Sequence, residues 1–123
     1  MQAGETCNVI PVIRWGVTAG KRVRRAELTV SNTSYLSGKR RGAILSEQVW
    51  TLEGQVVKYS LAYIDYRLCS ADNGRVLGYD NSHGDHHRHW MGKVSAVEFT
   101  TYEVQLERFE GEVQELWRQQ DEE

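Results

Sequence analysis

Hydrophobic and polar residues alternate along much of the chain, a pattern that is typical of β-strands with one buried face. The alternation is strongest over residues 55–68, where β-branched and aromatic side chains recur at every second position. The residues that share one face there are Val57, Tyr59, Leu61 and Tyr63. Weaker patterns of the same kind predict further strands at residues 24–30, 43–52, 75–80 and 93–99.

Turn-forming residues separate these segments and keep the connections short. Residues 31–34 read Ser-Asn-Thr-Ser, and residues 37–42 form a basic loop. Asn73 and Gly74 supply the positive φ that a hairpin needs. The pattern therefore predicts a meander of about five antiparallel strands.

After residue 99 the apolar residues change to a helical period. They recur every three or four positions and so form one stripe of an amphipathic helix. The stripe consists of Tyr102, Leu106, Phe109, Val113, Leu116 and Trp117. Thr100 and Glu103 have the spacing of a capping box, so Thr100 is the predicted N-cap. We expect a single small α+β domain in which this C-terminal helix covers one face of the sheet.

Charge is distributed unevenly along the chain, although the net charge is only −2. Residues 1–46 carry eight basic and two acidic side chains, whereas residues 47–123 carry seven basic and fifteen acidic ones. A basic front half suits a polyanion such as RNA, and we interpret residues 1–25 as a basic N-terminal arm. Folding could also interleave the two halves into a surface of mixed charge.

A cytoplasmic protein is the simplest interpretation of the composition. The sequence has no run of about 18 apolar residues, so no membrane-spanning helix is predicted. Residues 1–20 lack the order of charged and apolar residues that marks a signal peptide. Cys7 and Cys69 are far apart and form no Cys-x-x-Cys motif, so neither a disulfide nor a structural zinc site is expected.

All four histidines of the chain lie within residues 78–90, which makes this segment the candidate functional site. Histidine titrates near neutral pH and is the commonest metal ligand. If residues 85–89 are extended, His86 and Arg88 take one face. The other face then carries a carboxylate and two imidazoles, those of Asp85, His87 and His89.

Such a set of side chains supports cleavage of RNA without a metal or an organic cofactor. One neutral imidazole would take the proton of the 2′-OH, and a protonated imidazole would give a proton to the leaving 5′ oxygen. We predict that His87 and His89 form this pair, with His83 as a further candidate. Asp80 and Asp85 would orient the imidazoles.

Contacts to RNA are predicted around the same segment. Arg88 would stabilise the charge that builds on the phosphate. If strand geometry separates it from the histidines, Arg75 or Lys58 would take that role. Trp90 or Tyr79 would stack on a base. The RNA backbone would be held by the basic loop, through Lys39, Arg40 and Arg41.

Two other interpretations of the segment stay open. The histidines and aspartates could hold a catalytic zinc or manganese ion, although the His-x-Asp-His-His-x-His spacing matches no metal motif. The segment could also be structural, with Asp80 and Asn81 holding a loop, His86 solvated and Trp90 packed in or beside the core. The protein would then be a non-enzymatic binding module.

Three segments of the chain resemble the TumE family of bacterial toxin–antitoxin proteins. They are residues 57–61, residues 75–89 with their Tyr-Asp-Asn and His-rich parts, and residues 97–100 with the acidic helix that follows. The resemblance spans residues 42–118 and assigns residues 26–123 to a TumE-like toxin domain. It implies a small cytoplasmic toxin of a type II module, encoded beside a helix-turn-helix antitoxin that binds it. The RNA substrate is inferred from the histidine chemistry and from analogy with other small toxins, and a homodimer is left open.

Overall fold

The computed structural model describes residues 25–122, which form one antiparallel sheet and one C-terminal helix. The six strands lie side by side in chain order, so the sheet is a meander. This confirms the predicted α+β class. The basic arm predicted at residues 1–25 lies outside the described residues, apart from its last residue. The elements are β1 (Glu27–Tyr35), β2 (Ile44–Leu52), β3 (Gln55–Ile64), β4 (Arg75–Asp80), β5 (His87–Trp90), β6 (Lys93–Ala96) and α1 (Tyr102–Asp121).

The sheet has one strand more than the alternation predicts. The additional strand is β5, which pairs with β4 on one side and with β6 on the other. Its sequence, His-Arg-His-Trp, carries no alternation of apolar and polar residues, so the pattern could not reveal it. The histidine segment therefore includes a strand inside the sheet and is not only a loop at its edge.

Strand β1 is longer than predicted, whereas β3 and β6 are shorter. Residues 31–34, which were predicted to form a turn, pair with residues 45–48 of β2. Their polar side chains are exposed on an edge strand, where ladder hydrogen bonds outweigh a local turn preference. Strand β3 ends at Ile64, and β6 ends at Ala96.

The two faces of the sheet have different roles. Helix α1 packs on one of them, which we call the helix face, and we call the opposite one the open face. Aromatic contacts join Tyr63 to Trp117 and Tyr59 to Tyr102 across the helix face. Five strand residues beneath α1 are at most 1% exposed, namely Tyr59, Leu61, Tyr63, Leu77 and Tyr79. Burial of each such side chain contributes about 1.5–3 kcal/mol, so the core lies between α1 and this face.

Hydrogen bonds to buried tyrosine hydroxyls fix the position of α1. Gln105 donates from Nε2 to the hydroxyl of Tyr59 at 3.0 Å, and both side chains are buried. Tyr79 donates from its hydroxyl to Glu112 at 2.7 Å. Burial, together with the Glu112 carboxylate, raises the pKa of Tyr79, so this hydroxyl keeps the proton that it donates. Because a buried hydroxyl without a partner is costly, these bonds restrict α1 to one register on the sheet.

Helix α1 begins one residue later than the capping-box spacing predicts. Thr101 is the N-cap, and its hydroxyl oxygen accepts a hydrogen bond from the backbone N–H of Val104 at 3.1 Å. The predicted cap at Thr100, with Glu103 as its partner, is therefore wrong. The two adjacent threonines have the same capping chemistry, and the spacing to Glu103 favoured the wrong one.

Replacement of each threonine separately tests this assignment. We expect Thr101→Ala to lower the free energy of unfolding by about 1 kcal/mol, because one N–H at the helix start loses its acceptor. The control, Thr100→Ala, should change it by less than about 0.5 kcal/mol. Urea unfolding followed by circular dichroism measures both. A larger loss in the Thr100 variant would show that the helix starts at the earlier residue.

Candidate functional site

A cavity of about 550 Å³ lies on the open face and is lined by residues of β2 to β6 and of the loop before β5. This volume is within the range of small-ligand pockets. Lys58, Arg75 and Asp80 contribute to its lining. Asp85 is exposed and is not among its lining residues. Three histidines also line the cavity, namely His83, His87 and His89.

Strand pairing places two of these imidazoles on the open face. In the β4–β5 register His87 lies opposite Asp80, and His89 lies opposite Gly78. Successive side chains of a strand point to opposite faces, so the intervening Arg88 points to the helix face. The structure thus brings His87 and His89 together, and it separates Arg88 from both.

The ring of His89 lies between two carboxylates. Its Nε2 is 2.9 Å from Oδ2 of Asp80, and its Nδ1 is 3.5 Å from Oδ2 of Asp72. The residue is only 9% exposed, and within residues 25–122 its Nδ1 makes no hydrogen bond. Because both ring nitrogens face carboxylates, the imidazole is held in one orientation.

Arg75 joins the same two carboxylates. Its Nε and Nη2 donate to Asp72 at 2.9 and 3.0 Å, and its Nη1 donates to Asp80 at 3.4 Å. Hydrogen bonding to Arg75 lowers the pKa of Asp72, although partial burial opposes the change. Asp72, Arg75, Asp80 and His89 therefore form one closed set of contacts, which we call the His89 network.

The absence of a side chain at Gly78 makes this network possible. A Cβ atom at Gly78 would lie 2.7 Å from Cδ of Arg75 and 2.9 Å from the carbonyl oxygen of Leu61. The aliphatic part of Arg75 therefore runs along β4 past Gly78 on its way to Asp80. Glycine is thus the residue that lets the guanidinium reach the second carboxylate.

Asp80 and Asn81 also hold the loop before β5, as the structural interpretation expects. Oδ1 of Asp80 accepts hydrogen bonds from the backbone N–H and the hydroxyl of Ser82, both at 3.3 Å. The Asn81 side chain accepts from one backbone N–H of β3 at 3.0 Å and donates to a β3 carbonyl at 3.1 Å. One carboxylate therefore anchors the loop that carries His83 and also contacts His89.

His86 is packed against other rings, so the expectation of a solvated side chain is wrong. It stacks on Phe99 with the ring centroids 3.9 Å apart. Its Nδ1 is 2.8 Å from the hydroxyl of Tyr59, which itself accepts from Gln105. Burial lowers the pKa of His86. Burial therefore favours the neutral form of this imidazole, which lies on the helix side and does not line the cavity of the other three histidines.

Three residues that were assigned to RNA lie on the helix face. Arg88 donates to Glu112 at 3.0 Å and to the hydroxyl of Tyr79 at 3.2 Å. Tyr79 is 1% exposed, so no base can stack on its ring in this arrangement. Trp90 is 36% exposed, and the Arg88 guanidinium lies 5.4 Å from the centroid of its ring. None of the three lines the open-face cavity.

The basic loop contacts the C-terminal end of α1. Lys39 and Arg40 each lie 3.1 Å from a carboxylate oxygen of Asp121, and the Arg40 guanidinium lies 4.6 Å from the centroid of the Trp117 ring. Cations near the C-terminus of a helix are stabilising, which gives these two a structural role. Arg41 is exposed. At this loop the two oppositely charged halves of the chain are interleaved.

The structure also adds residues that the sequence did not reveal. Asp72 was assigned to a hairpin loop, and its φ of 52° turns the chain where its carboxylate meets Arg75. Trp50 was assigned only to a strand, yet it lines the cavity. The strand register is the feature that could have identified Trp50 as a cavity residue, because Trp50 lies opposite Lys58 on the same face.

Among residues 25–122, no three His, Cys, Asp or Glu side chains are arranged so that they could hold a metal ion. Within the same part of the chain, no helix is long and apolar enough to cross a membrane.

The fold and the cavity define a small α+β protein that presents histidines on one face of its sheet. The family model described as Toxin TumE matches residues 16–117. The chain therefore belongs to the TumE toxin family, which makes it a toxin of a toxin–antitoxin system and implies an antitoxin partner. The match begins at residue 16, within the segment interpreted as an arm, whereas the resemblance seen in the sequence begins at residue 42 and the toxin domain was expected to begin at residue 26. Comparisons with curated proteins and with solved structures found no match.

The requirement for glycine beside Arg75 can be tested with two alanine substitutions. Gly78→Ala should lower the free energy of unfolding by about 1–3 kcal/mol, because the added methyl group overlaps Arg75 and the β3 backbone. Gly111→Ala is the control, since a Cβ at Gly111 meets no atom within 4 Å. It should stabilise the helix by up to about 1 kcal/mol. Urea unfolding compares them, and an unchanged Gly78 variant would contradict the described path of Arg75.

Proposed function

We propose that this toxin is a metal-independent endoribonuclease whose catalytic site is the open-face cavity. The observation that supports the proposal is that His83 and His87 line one cavity together with Lys58 and Arg75. Cleavage of RNA needs a base for the 2′-OH, an acid for the leaving oxygen and a positive charge near the phosphate. Residue types suited to all three tasks are present in this cavity.

In the proposed reaction His87 is the base and His83 is the acid. Neutral His87 accepts the 2′-OH proton while the 2′ oxygen bonds to phosphorus. Protonated His83 gives its proton to the 5′ oxygen as the bond between phosphorus and that oxygen breaks. The products are a 2′,3′-cyclic phosphate and a 5′-hydroxyl. Exchange with water then returns the proton to His83 and removes it from His87, so no further reactant is needed.

His89, which was predicted to be the partner of His87, suits a positioning role better. Both of its ring nitrogens face carboxylates, so proton transfer to a substrate would first break its 2.9 Å contact with Asp80. We propose that the His89 network is a fixed, charged support beside His87. The role of Asp85 as an orienting carboxylate stays a prediction from sequence spacing. Asp85 is exposed in the loop before β5 and is not among the residues that line the cavity.

Lys58 is the proposed phosphate contact. Arg88 is bound to Glu112 on the opposite face of the sheet. The charge of Arg75 is shared by Asp72 and Asp80, which weakens its attraction for a further anion. Lys58 lines the cavity with its ammonium over an aromatic ring, where it can turn towards a phosphate.

We also propose that the partner is a helix-turn-helix antitoxin protein, as in a type II module, and that the toxin acts in the cytoplasm. Membership of the toxin family supports the existence of an antitoxin. Co-purification of the toxin with the product of the neighbouring reading frame tests whether the antitoxin is a protein of this kind.

Replacement of the proposed base tests the catalytic site. We expect His87→Gln to lower kcat by about 10²–10⁴-fold, because an amide cannot accept and return a proton. The assay is cleavage of a labelled single-stranded RNA by the purified toxin, with and without a chelator. The rate of the wild type should depend on pH through two groups, and one of these dependences should be lost in the variant. Lys93→Gln, an exposed change on β6, serves as the control and should keep the wild-type rate.

Three results would count against the proposal. RNA left intact by a protein that still arrests growth would exclude ribonuclease activity as the toxic function. Undiminished toxicity of His87→Gln would favour a non-enzymatic binding module. Activity that is abolished by the chelator and restored by zinc or manganese would favour a metal-dependent hydrolase.

A further inference from the structure

We infer that Trp50 and Lys58 form a nucleotide-binding subsite beside the proposed catalytic histidines. In this subsite a nucleobase stacks on the indole ring of Trp50, and the ammonium of Lys58 binds an adjacent phosphate. The inference rests on the proposed function and adds to it the preferred form of the substrate, which is single-stranded RNA.

The geometry of the open face brings the two side chains together. Trp50 of β2 lies directly opposite Lys58 of β3 in the strand register. The Lys58 ammonium is 4.7 Å from the centroid of the Trp50 ring. The register of β2 and β3 shifts directly after Trp50, and irregularities of this kind change the direction of neighbouring side chains. Both side chains line the cavity that holds His83 and His87.

The chemistry of this pair matches a nucleotide. Every base has a flat π surface that can stack on an indole ring, and this stacking does not depend on the base. The phosphate that joins two nucleotides is an anion, and within residues 25–122 the described contact of the Lys58 ammonium is with the ring instead of a carboxylate. Trp50 is half-buried, so its ring is held by the sheet while part of its surface stays accessible.

A nucleotide can replace the present contact between the two side chains. The flexible stem of a lysine lets the ammonium move from the indole ring to a phosphate. The base then takes the position that the ammonium occupied over the ring. Each group exchanges one partner for another, so binding leaves neither the ring nor the cation without a contact.

This subsite favours a single strand over a duplex. Bases inside a duplex are covered on both surfaces by their neighbours, whereas unpaired bases can turn out and stack on a protein ring. The cavity volume of about 550 Å³ suits a nucleotide, not a double helix. A base held on Trp50 would also keep the adjoining phosphate within the cavity that contains His87.

The test measures binding of the full chain to a single-stranded 2′-O-methyl RNA of about ten nucleotides, a length typical of such sites. This probe lacks the attacking hydroxyl and therefore stays intact. Fluorescence anisotropy gives the Kd of each variant. We expect Trp50→Leu to raise the Kd about tenfold, and Trp50→Phe to raise it less because a smaller ring remains. Lys58→Met should raise the Kd and reduce its dependence on salt by about one phosphate contact.

Trp90→Leu is the matched control, because it removes an indole from the opposite face of the sheet. Its Kd should equal that of the wild type. If Trp50→Leu does not fold, Trp50→Phe keeps the test decisive. RNA binding should change the tryptophan fluorescence of the wild type, and this change should be lost in Trp50→Phe. Equally tight binding of a duplex of the same length would overturn the inference.

The outcomes separate this inference from the proposed function. If wild-type toxin cleaves ordinary RNA but Trp50→Leu binds the probe as tightly as the wild type, the subsite is wrong and the ribonuclease stands. If binding depends on Trp50 but ordinary RNA stays intact, the subsite is supported and the ribonuclease is wrong. If Trp50→Leu loses the antitoxin and keeps the probe, the surface binds a protein and the inference is overturned.

Discussion

The antiparallel pairing of β4 with β5 is the interaction on which both faces of the molecule depend. It places His87 and His89 on the open face, and it places Tyr79 opposite Arg88 on the helix face. A slip of β5 by one residue would reverse its two faces, since side chains alternate along a strand. His87 and His89 would then lie on the helix face, and Arg88 would lie on the open face. The hydrogen bonds of Arg88 to Tyr79 and Glu112 therefore help to fix where the histidines point.

The part of the open-face site that lies on β3 and β4 is built on strands whose other sides are buried. Tyr79 and Glu112 tie β4 to α1, while Gln105 and Tyr59 tie β3 to the same helix. Groups on rigid elements hold their positions more accurately than groups on loops. Of the cavity histidines only His83 lies on a loop, and that loop is anchored through carboxylate and amide hydrogen bonds to its own turn and to β3.

Several features of the fold could be predicted because their periodicity is strong. The alternation in residues 55–68 and the apolar stripe of the C-terminal helix each define an element and its buried side. Strand β5 could not be predicted in this way, because its place in the sheet comes from the two strands beside it. The turn composition of residues 31–34 was misleading for the same reason, since pairing with β2 decides their conformation.

The candidate site likewise combines features that periodicity predicts with features that it does not. The shared face of His87 and His89 follows from a period of two, and so does the separation of Arg88. The approach of Asp72 to His89 depends on the path of a loop and on a glycine that leaves room for the side chain of Arg75, and neither is a periodic feature. Charge counted along the chain was also a poor guide, because Lys39 and Arg40 contact Asp121 at the end of α1.

The central claim is that the open face, and not the helix face, contacts RNA. An NMR titration of the imidazole signals with non-cleavable single-stranded RNA measures this most directly, because histidines lie on both sides of the sheet. We predict that the signals of His83, His87 and His89 shift on addition of RNA, while that of His86 stays in place. A shift of the His86 signal with the three cavity signals unchanged would contradict the claim.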